Sequence, residues 1–141
     1  TSFNVPRRNS NGIDYNRAML LMAVLEKRGG LRIGACDAYI NVIGGLSLDE
    51  PASDLATVLA IASSFLDKPI DAGMAAIGEV GLTGEIRSVS SINQRLSEIR
   101  RLGFTSCIIP EYSKTKVTVP GGLKIITAKN VRAAISSAMG I

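Results

Sequence analysis

The amino-acid sequence predicts an α/β fold built from layers of helices and strands. Apolar residues recur at helical spacing in four segments, and short apolar or alternating runs lie between them. Glycine or proline separates most neighbouring segments, as expected at turns. This alternation along one chain favours α/β layers around a core. We expect a single domain over residues 1–141, because no internal repeat or low-complexity stretch interrupts the pattern.

The stretch 49–66 predicts a central helix. Ala56, Ala60 and Ile61 extend its apolar stripe almost all the way round, so we expect other layers to cover it on nearly every side. Pro51 suits the first helical position, where an N–H would have no partner, and Asp54 complements the positive end of the helix dipole. The stripe consists of Leu55, Val58, Leu59, Ala62, Phe65 and Leu66.

The first part of the chain predicts a loop, a helix and a strand. Residues 1–12 are polar with a basic centre, which is typical of a loop. Asp14 is a suitable N-cap for a helix that runs to Arg28 and ends at a glycine pair. Residues 37–43 alternate and predict a strand, followed by a turn at Gly44–Gly45. The buried stripe of this helix is predicted to contain Ala18, Leu21, Met22 and Leu25.

The rest of the chain predicts short strands and two more helices. A hairpin-like connection spans residues 81–84. Ser91 to Gln94 has the S-x-x-Q form of a capping box and predicts the start of a third helix. Strands are predicted at residues 72–80, 85–89, 106–109 and 124–127, and the last helix is predicted to use Val131, Ala134, Ile135 and Ala138.

Composition limits the chemistry available to this chain. Sixteen Lys and Arg against twelve Asp and Glu give a net charge of +4, which is compatible with nucleic acid but not diagnostic of it. The absence of histidine excludes His-dependent triads and the usual zinc sites, so we expect no metal. Cys36 and Cys107 stand alone and are expected to be reduced, packed thiols. No apolar run is long enough to cross a membrane, and we expect a cytoplasmic location.

Several candidate sites also have a simple structural interpretation. Three glycine pairs occur outside any phosphate-binding glycine motif, which favours plain turns. Glu79 and Glu85 flank the hairpin connection; they could imitate an acid–base pair, but ion-paired or solvated carboxylates are favoured. Ser53 is a candidate nucleophile at the start of a helix. A hydrogen bond from Ser53 to the backbone is favoured instead, since a nucleophile also needs a base and an oxyanion site.

The basic residues form two clusters along the sequence. For both, a solvated face or an intersubunit ion-pair surface is narrowly favoured over phosphate contacts. Aromatic residues are not interleaved with the positive charges, which disfavours a stacking platform for single strands. The first cluster contains Arg7, Arg8, Arg17, Lys27, Arg28 and Arg32, and the second contains Arg95, Arg100 and Arg101.

Six strings in this sequence are long enough to be specific. They are PRR at 6–8, GIDYNR at 12–17, AVLEKR at 23–28, DAYINV at 37–42, EPASDLA at 50–56 and GEVGLTGEIR at 78–87. Together they closely resemble the C-terminal domain of the bacterial RadA (Sms) family of DNA-repair and recombination proteins, and the resemblance covers nearly the whole chain. That domain is similar in fold to the Lon protease domain, of the ribosomal protein S5 domain 2-like kind.

Lon-type peptidases carry a serine in a G-P-S-A-G turn and a lysine in a later G-G-[LI]-K stretch. Laid on this sequence, the serine position falls on Ala52 and the lysine position on Asn93. An alanine methyl cannot attack a carbonyl, and a neutral amide cannot take the proton of a serine. Ser53 is one residue away, about 100° round a helix, and is a weak substitute. The resemblance therefore implies a peptidase fold without peptidase chemistry.

The resemblance further implies a domain that scaffolds a ring, expected to be a hexamer, and contacts duplex DNA through the six cations of the first cluster. The ATP and zinc sites, DNA-dependent ATPase activity and branch migration of the family would belong to regions ahead of this domain. Because those regions are not in this sequence, no cofactor is expected here. The apolar strand that usually precedes the PRR string is also absent, so a sheet edge is expected to be short or disordered. Two alternatives stay open: a Lon-type ATP-dependent serine peptidase that uses Ser53, and an oligomerisation module without nucleic-acid contact.

Overall fold

The structure is a computed structural model that describes residues 5–43 and 48–141. Helices and strands are interspersed along the described residues, and most of the paired strands run in parallel, which confirms the predicted α/β class. The predicted turn at Gly44–Gly45 lies outside the described residues. The strands are β1 Arg8–Asn11, β2 Ala38–Asn41, β3 Met74–Ala76, β4 Glu79–Val80, β5 Ile86–Arg87, β6 Ser106–Pro110 and β7 Lys124–Ala128. The helices are α1 Tyr15–Gly29, α2 Asp54–Leu66, α3 Ile92–Arg101 and α4 Val131–Met139, with 3₁₀ turns at Pro51–Ser53 and Glu111–Ser113.

The strand β1 corrects the prediction of a loop over residues 1–12. It pairs in parallel with β2, with Arg8 opposite Ala38, and α1 connects the two strands. The Arg8 guanidinium donates to the carbonyl oxygens of Ile33 and Gly34, each at 3.0 Å. The residues of β1 are all polar and show no apolar alternation. This strand therefore forms because of pairing with a distant segment, which local pattern does not reveal.

The helix α1 begins and ends as predicted. The Asp14 carboxylate accepts a hydrogen bond from the backbone N–H of Arg17 at 2.9 Å, which satisfies one donor of the first turn. Gly30 follows the helix with a φ of 76°, a left-handed conformation that glycine adopts without steric cost. The predicted stripe is buried and packs in one cluster with α2 and α4.

The helix α2 is less enclosed than predicted. Its inward side is buried, but Ala56 and Ala60 are exposed and Phe65 is 39% exposed. The prediction of burial on nearly every side is therefore wrong for this outer face. Alanine is the best helix former whether or not it is covered, so its presence did not report burial.

A second sheet consists of β3, β6 and β7, whose strands run in parallel in the order β3–β6–β7. The strands β4 and β5 form the predicted antiparallel hairpin, but the single strand predicted over residues 72–80 is wrong, because β3 and β4 pair in different sheets. The helix α3 begins after Ser91, but the Ser91 hydroxyl makes no capping hydrogen bond. Its φ is 55°, whereas an N-cap whose side chain accepts a hydrogen bond from the first turn usually has an extended backbone. The capping-box prediction is correct in position and wrong in its bond.

Two hydrophobic clusters hold these elements together. The larger one joins α1, α2 and α4 to the strands. The smaller one includes Ala52, Leu96 and Ile109, and it connects the 3₁₀ turn before α2 to α3 and to the central strand β6. The turn that carries Ala52 and the helix that follows Ser91 therefore meet over one shared core.

Candidate functional site

The 3₁₀ turn Pro51–Ser53 is fixed to the connection between β3 and β4. The Ala52 carbonyl accepts from the backbone N–H of Gly78, and the Gly78 carbonyl accepts from the N–H of Leu55, each at 3.1 Å. A side chain at Gly78 would place a Cβ 2.6 Å from Cγ2 of Ile86, so only glycine permits this approach. The position of Ala52 is thus set by backbone hydrogen bonds on both sides.

A groove of about 670 Å³ lies between this turn and α3. Ala52, Ile77 and Ile99 contribute apolar surface to it. Across its rim Arg95 forms an ion pair with Glu50, and Arg95 Nε also donates to the Ser90 carbonyl at 2.8 Å. The hydrogen bond from Arg95, reinforced by its charge, lowers the pKa of Glu50 below the ordinary value. The groove is therefore spanned by an internal ion pair.

The side chains of Ser53 and Asn93 both form hydrogen bonds with the backbone. Ser53 Oγ donates to the carbonyl oxygen of Glu50 at 2.7 Å, which confirms the predicted bond to backbone. Asn93 Oδ1 accepts from the backbone N–H of Thr118 at 2.8 Å. Ala52 and Ser53 line the groove, whereas Asn93 is not among its lining residues. The sequence analysis located Asn93 but could not foresee that it holds the loop before β7.

A second cleft of about 570 Å³ lies beside the first and contains a buried ion pair. Asp54 is 3% exposed and accepts Arg17 Nε at 3.1 Å and the backbone N–H of Val80 at 3.0 Å. A further hydrogen bond joins Arg17 Nη2 to Asp54, and these contacts raise the pKa of Arg17. The pair ties α1 to α2 and β4, so Asp54 does more than complement a helix dipole.

The hairpin carboxylates behave as the simpler interpretation predicted. Glu85 accepts from the Thr83 hydroxyl at 2.7 Å and from Arg87 Nη2 at 2.9 Å. These hydrogen bonds, that of Thr83 being the largest cause, lower the pKa of Glu85 to about 2. Glu79 instead lines the second cleft beside Arg17. The structure therefore does not bring Glu79 and Glu85 together as an acid–base pair.

The six cations of the first cluster divide into two groups. The guanidinium groups of Arg8 and Arg17 are engaged within the fold, the first with backbone carbonyls and the second with Asp54. The other four are exposed, and their side chains make no hydrogen bond or ion pair with the described residues. Two of these four lie in the last turn of α1, a third follows three residues after the helix ends, and the fourth precedes β1. The four are Arg7, Lys27, Arg28 and Arg32.

The second basic cluster is used inside the fold. Arg101 pairs with Glu98, which lowers the pKa of Glu98 and raises that of Arg101. Arg100 Nε donates to the Gly121 carbonyl at 3.1 Å. These contacts lie within the chain, so the choice between an intersubunit ion-pair surface and phosphate contacts stays a prediction for these residues. Both cysteines are free, and burial raises the pKa of Cys107 to about 12.

The part of the chain that the structure describes has neither a metal-binding cluster nor a membrane-spanning helix. Residues 5–43 and 48–141 contain no group of three or more Cys, Asp or Glu side chains placed to hold a metal ion. Within the same ranges no helix is long and apolar enough to cross a membrane.

The described residues thus form an α/β domain in which a 3₁₀ turn leads into α2, beside a groove lined by that turn, the end of β3 and α3. The chain belongs to the family described as the Lon protease (S16) C-terminal proteolytic domain, whose model matches residues 35–140.

Relatives of this chain carry a different description from the family. It is 53% identical over 140 residues to the DNA repair protein RadA of Bacillus subtilis, covering 99% of this chain and 31% of that protein. It is 48% identical over 132 residues to the DNA repair protein RadA of Streptococcus pneumoniae, covering 94% of this chain and 31% of that protein. The RadA protein of Halalkalibacterium halodurans is 47% identical over 140 residues, which is 99% of this chain and 31% of that protein. The chain thus spans about a third of the length of these relatives.

Proposed function

We propose that this chain is a non-catalytic Lon-type domain of a RadA-like DNA repair and recombination protein, in which it scaffolds a ring and contacts duplex DNA. The observation that carries the proposal is the 53% identity, over 140 residues, with a protein named DNA repair protein RadA. The proposed ring is a hexamer, and the proposed location is the cytoplasm. ATP binding, zinc binding, DNA-dependent ATPase activity and branch migration are proposed for the parts of such a protein beyond this chain.

Three observations support the absence of peptidase chemistry. Ala52 has no hydroxyl, and the hydroxyl of Ser53 is held by a backbone carbonyl. Asn93 faces the Thr118 backbone rather than the groove. A serine nucleophile needs a base within hydrogen-bond reach, and the groove supplies no such arrangement around Ser53 among the described residues.

Incubation with unfolded casein tests the missing activity. We expect no peptide release by the parent chain beyond that of the Ser53→Ala variant. We also expect none from the double variant Ala52→Ser with Asn93→Lys, because position 93 does not line the groove. Cleavage by the parent chain that disappears in Ser53→Ala would establish the peptidase alternative.

Sedimentation and duplex binding test the scaffold. We expect particles that are a multiple of the 14.9 kDa subunit, and a duplex affinity whose logarithm falls with the logarithm of salt by about 0.9 per neutralised phosphate. A monomer at high concentration would contradict the ring. An assembled ring with no affinity for duplex would leave a pure oligomerisation module.

The four exposed cations and the two engaged arginines of the first cluster are proposed to have different roles. Arg7, Lys27, Arg28 and Arg32 are proposed as phosphate contacts, because their charges are exposed and unpaired among the described residues. Arg8 and Arg17 are proposed to position this surface from within, through their contacts with Gly34 and Asp54.

A further inference from the structure

The end of α1 lies against the start of α4. A Cβ built on Gly30 would lie 2.9 Å from Nη2 of Arg132, so this guanidinium covers the glycine that ends α1. A Cβ on the neighbouring Gly29 would lie 3.6 Å from Cδ1 of Ile135, which shows that the same two helix ends are packed together. Arg132 is therefore held close to the segment that contains Arg28 and Arg32.

The hairpin formed by β4 and β5 contacts both the end of α1 and the segment that precedes α4. Gly84 has a φ of 82°, and a Cβ there would lie 2.8 Å from Cβ of Arg28. The Gly84 carbonyl accepts from the N–H of Val131, and the Lys129 carbonyl accepts from the N–H of Ile86, at 2.9 and 3.0 Å. The segment that carries Lys129 is thus attached by backbone hydrogen bonds to a turn that touches Arg28.

The nearby carboxylates are directed toward other partners. Glu26 accepts from the backbone N–H of Gly34, and Glu85 is bound by Thr83 and Arg87. The side chains of Lys129 and Arg132 are exposed and make no ion pair with the described residues. Positive charge from two segments far apart in sequence therefore collects on one surface without internal neutralisation.

We propose that Lys129 and Arg132 complete a phosphate-binding surface for the backbone of duplex DNA, together with three cations at the end of α1. We call this the α1–α4 basic surface: Lys27, Arg28, Arg32, Lys129 and Arg132. The inference rests on the proposed function and extends its DNA contact to a segment that the sequence analysis did not include. Cations placed on packed helix ends keep a defined spacing, which favours contact with a regular backbone over loose charge attraction.

A salt titration of duplex binding by the whole chain tests the surface. Arg28→Gln, Lys129→Gln and Arg132→Gln are each expected to weaken binding about fivefold near 0.15 M salt and to reduce the salt slope by about 0.9. Arg132→Lys is expected to keep the slope, since it keeps the charge. The matched control is Lys114→Gln, which removes an exposed lysine from the loop after β6 and is expected to change neither quantity. Thermal unfolding of each variant checks that the fold is intact.

The outcomes separate the inference from the proposed function. If Arg28→Gln lowers the slope while Lys129→Gln and Arg132→Gln match the parent chain, the inference is wrong and the DNA contact stands. If Lys114→Gln weakens binding as much as the others, charge attraction is diffuse and the defined surface is wrong. If the parent chain does not bind duplex, or binds it with no dependence on salt, the proposed phosphate contact fails and the inference fails with it.

Discussion

The groove side of the molecule and the α1–α4 basic surface use their charges in opposite ways. Around the groove Arg95 is paired with Glu50, and in the neighbouring cleft Arg17 is paired with Asp54. On the α1–α4 basic surface, cations such as Arg28 and Arg132 have no ion-pair partner among the described residues. The difference teaches that a count of basic residues does not measure a binding surface. Only the charges that the fold leaves unpaired are available to a ligand.

The largest expected effect comes from removing a paired cation. Arg17→Met should lower the free energy of unfolding by about 3 kcal/mol, because it leaves the carboxylate of Asp54 buried without its partner. The matched change Arg28→Met, on the exposed basic surface, should stay within about 0.5 kcal/mol. Urea unfolding of the two variants measures the contrast.

The double variant Arg17→Met with Asp54→Leu controls for the loss of packing. It should recover part of the stability, because it removes the buried charge that Arg17→Met leaves behind. Equal stability of Arg17→Met and Arg28→Met would mean that Arg17 is as free as Arg28, and the proposed division of the cations would be lost.

Much of the fold was predictable from local pattern. The cap at Asp14, the left-handed glycine at residue 30 and the strand β6 all follow from residue types at fixed offsets. The strand β1 and the exposed face of α2 were not predictable in this way. The first depends on pairing with β2, and the second depends on which layers happen to cover an alanine-rich helix.

The geometry of the candidate site was not predictable from the sequence. Motif position predicts Ala52 and Asn93 as the two peptidase positions, and of these only Ala52 lines the groove. The hydrogen bond from Thr118 to Asn93 joins residues that no local pattern connects. Lys129 and Arg132 were missed because they lie about one hundred residues after the end of α1 and meet it only through packing. A periodicity analysis has no access to such contacts.

A smaller effect is expected at Asn93. Asn93→Ala should lower the free energy of unfolding by about 1 kcal/mol, because the Thr118 N–H loses its acceptor but can reach water. It should also speed hydrogen exchange of that amide. Gln94→Ala, an exposed neighbour on the groove rim, serves as the control and should leave the exchange rate unchanged. Unchanged exchange in Asn93→Ala would show that the loop is held by other contacts.

The smallest effect concerns Glu85, in the hairpin that touches Arg28 through Gly84. The folded state holds the pKa of this carboxyl at about 2, below its ordinary value of 4.5, so it binds fewer protons than the unfolded chain between those values. Its contribution is therefore complete above about pH 4.5 and is lost as the pH falls toward 2. Glu85→Gln should flatten the fall of unfolding free energy over this window by less than about 1 kcal/mol, as expected for an exposed pair. Glu111→Gln, another exposed glutamate, should leave the slope unaltered, and an equal slope in both variants would mean that Thr83 and Arg87 do not hold Glu85 in solution.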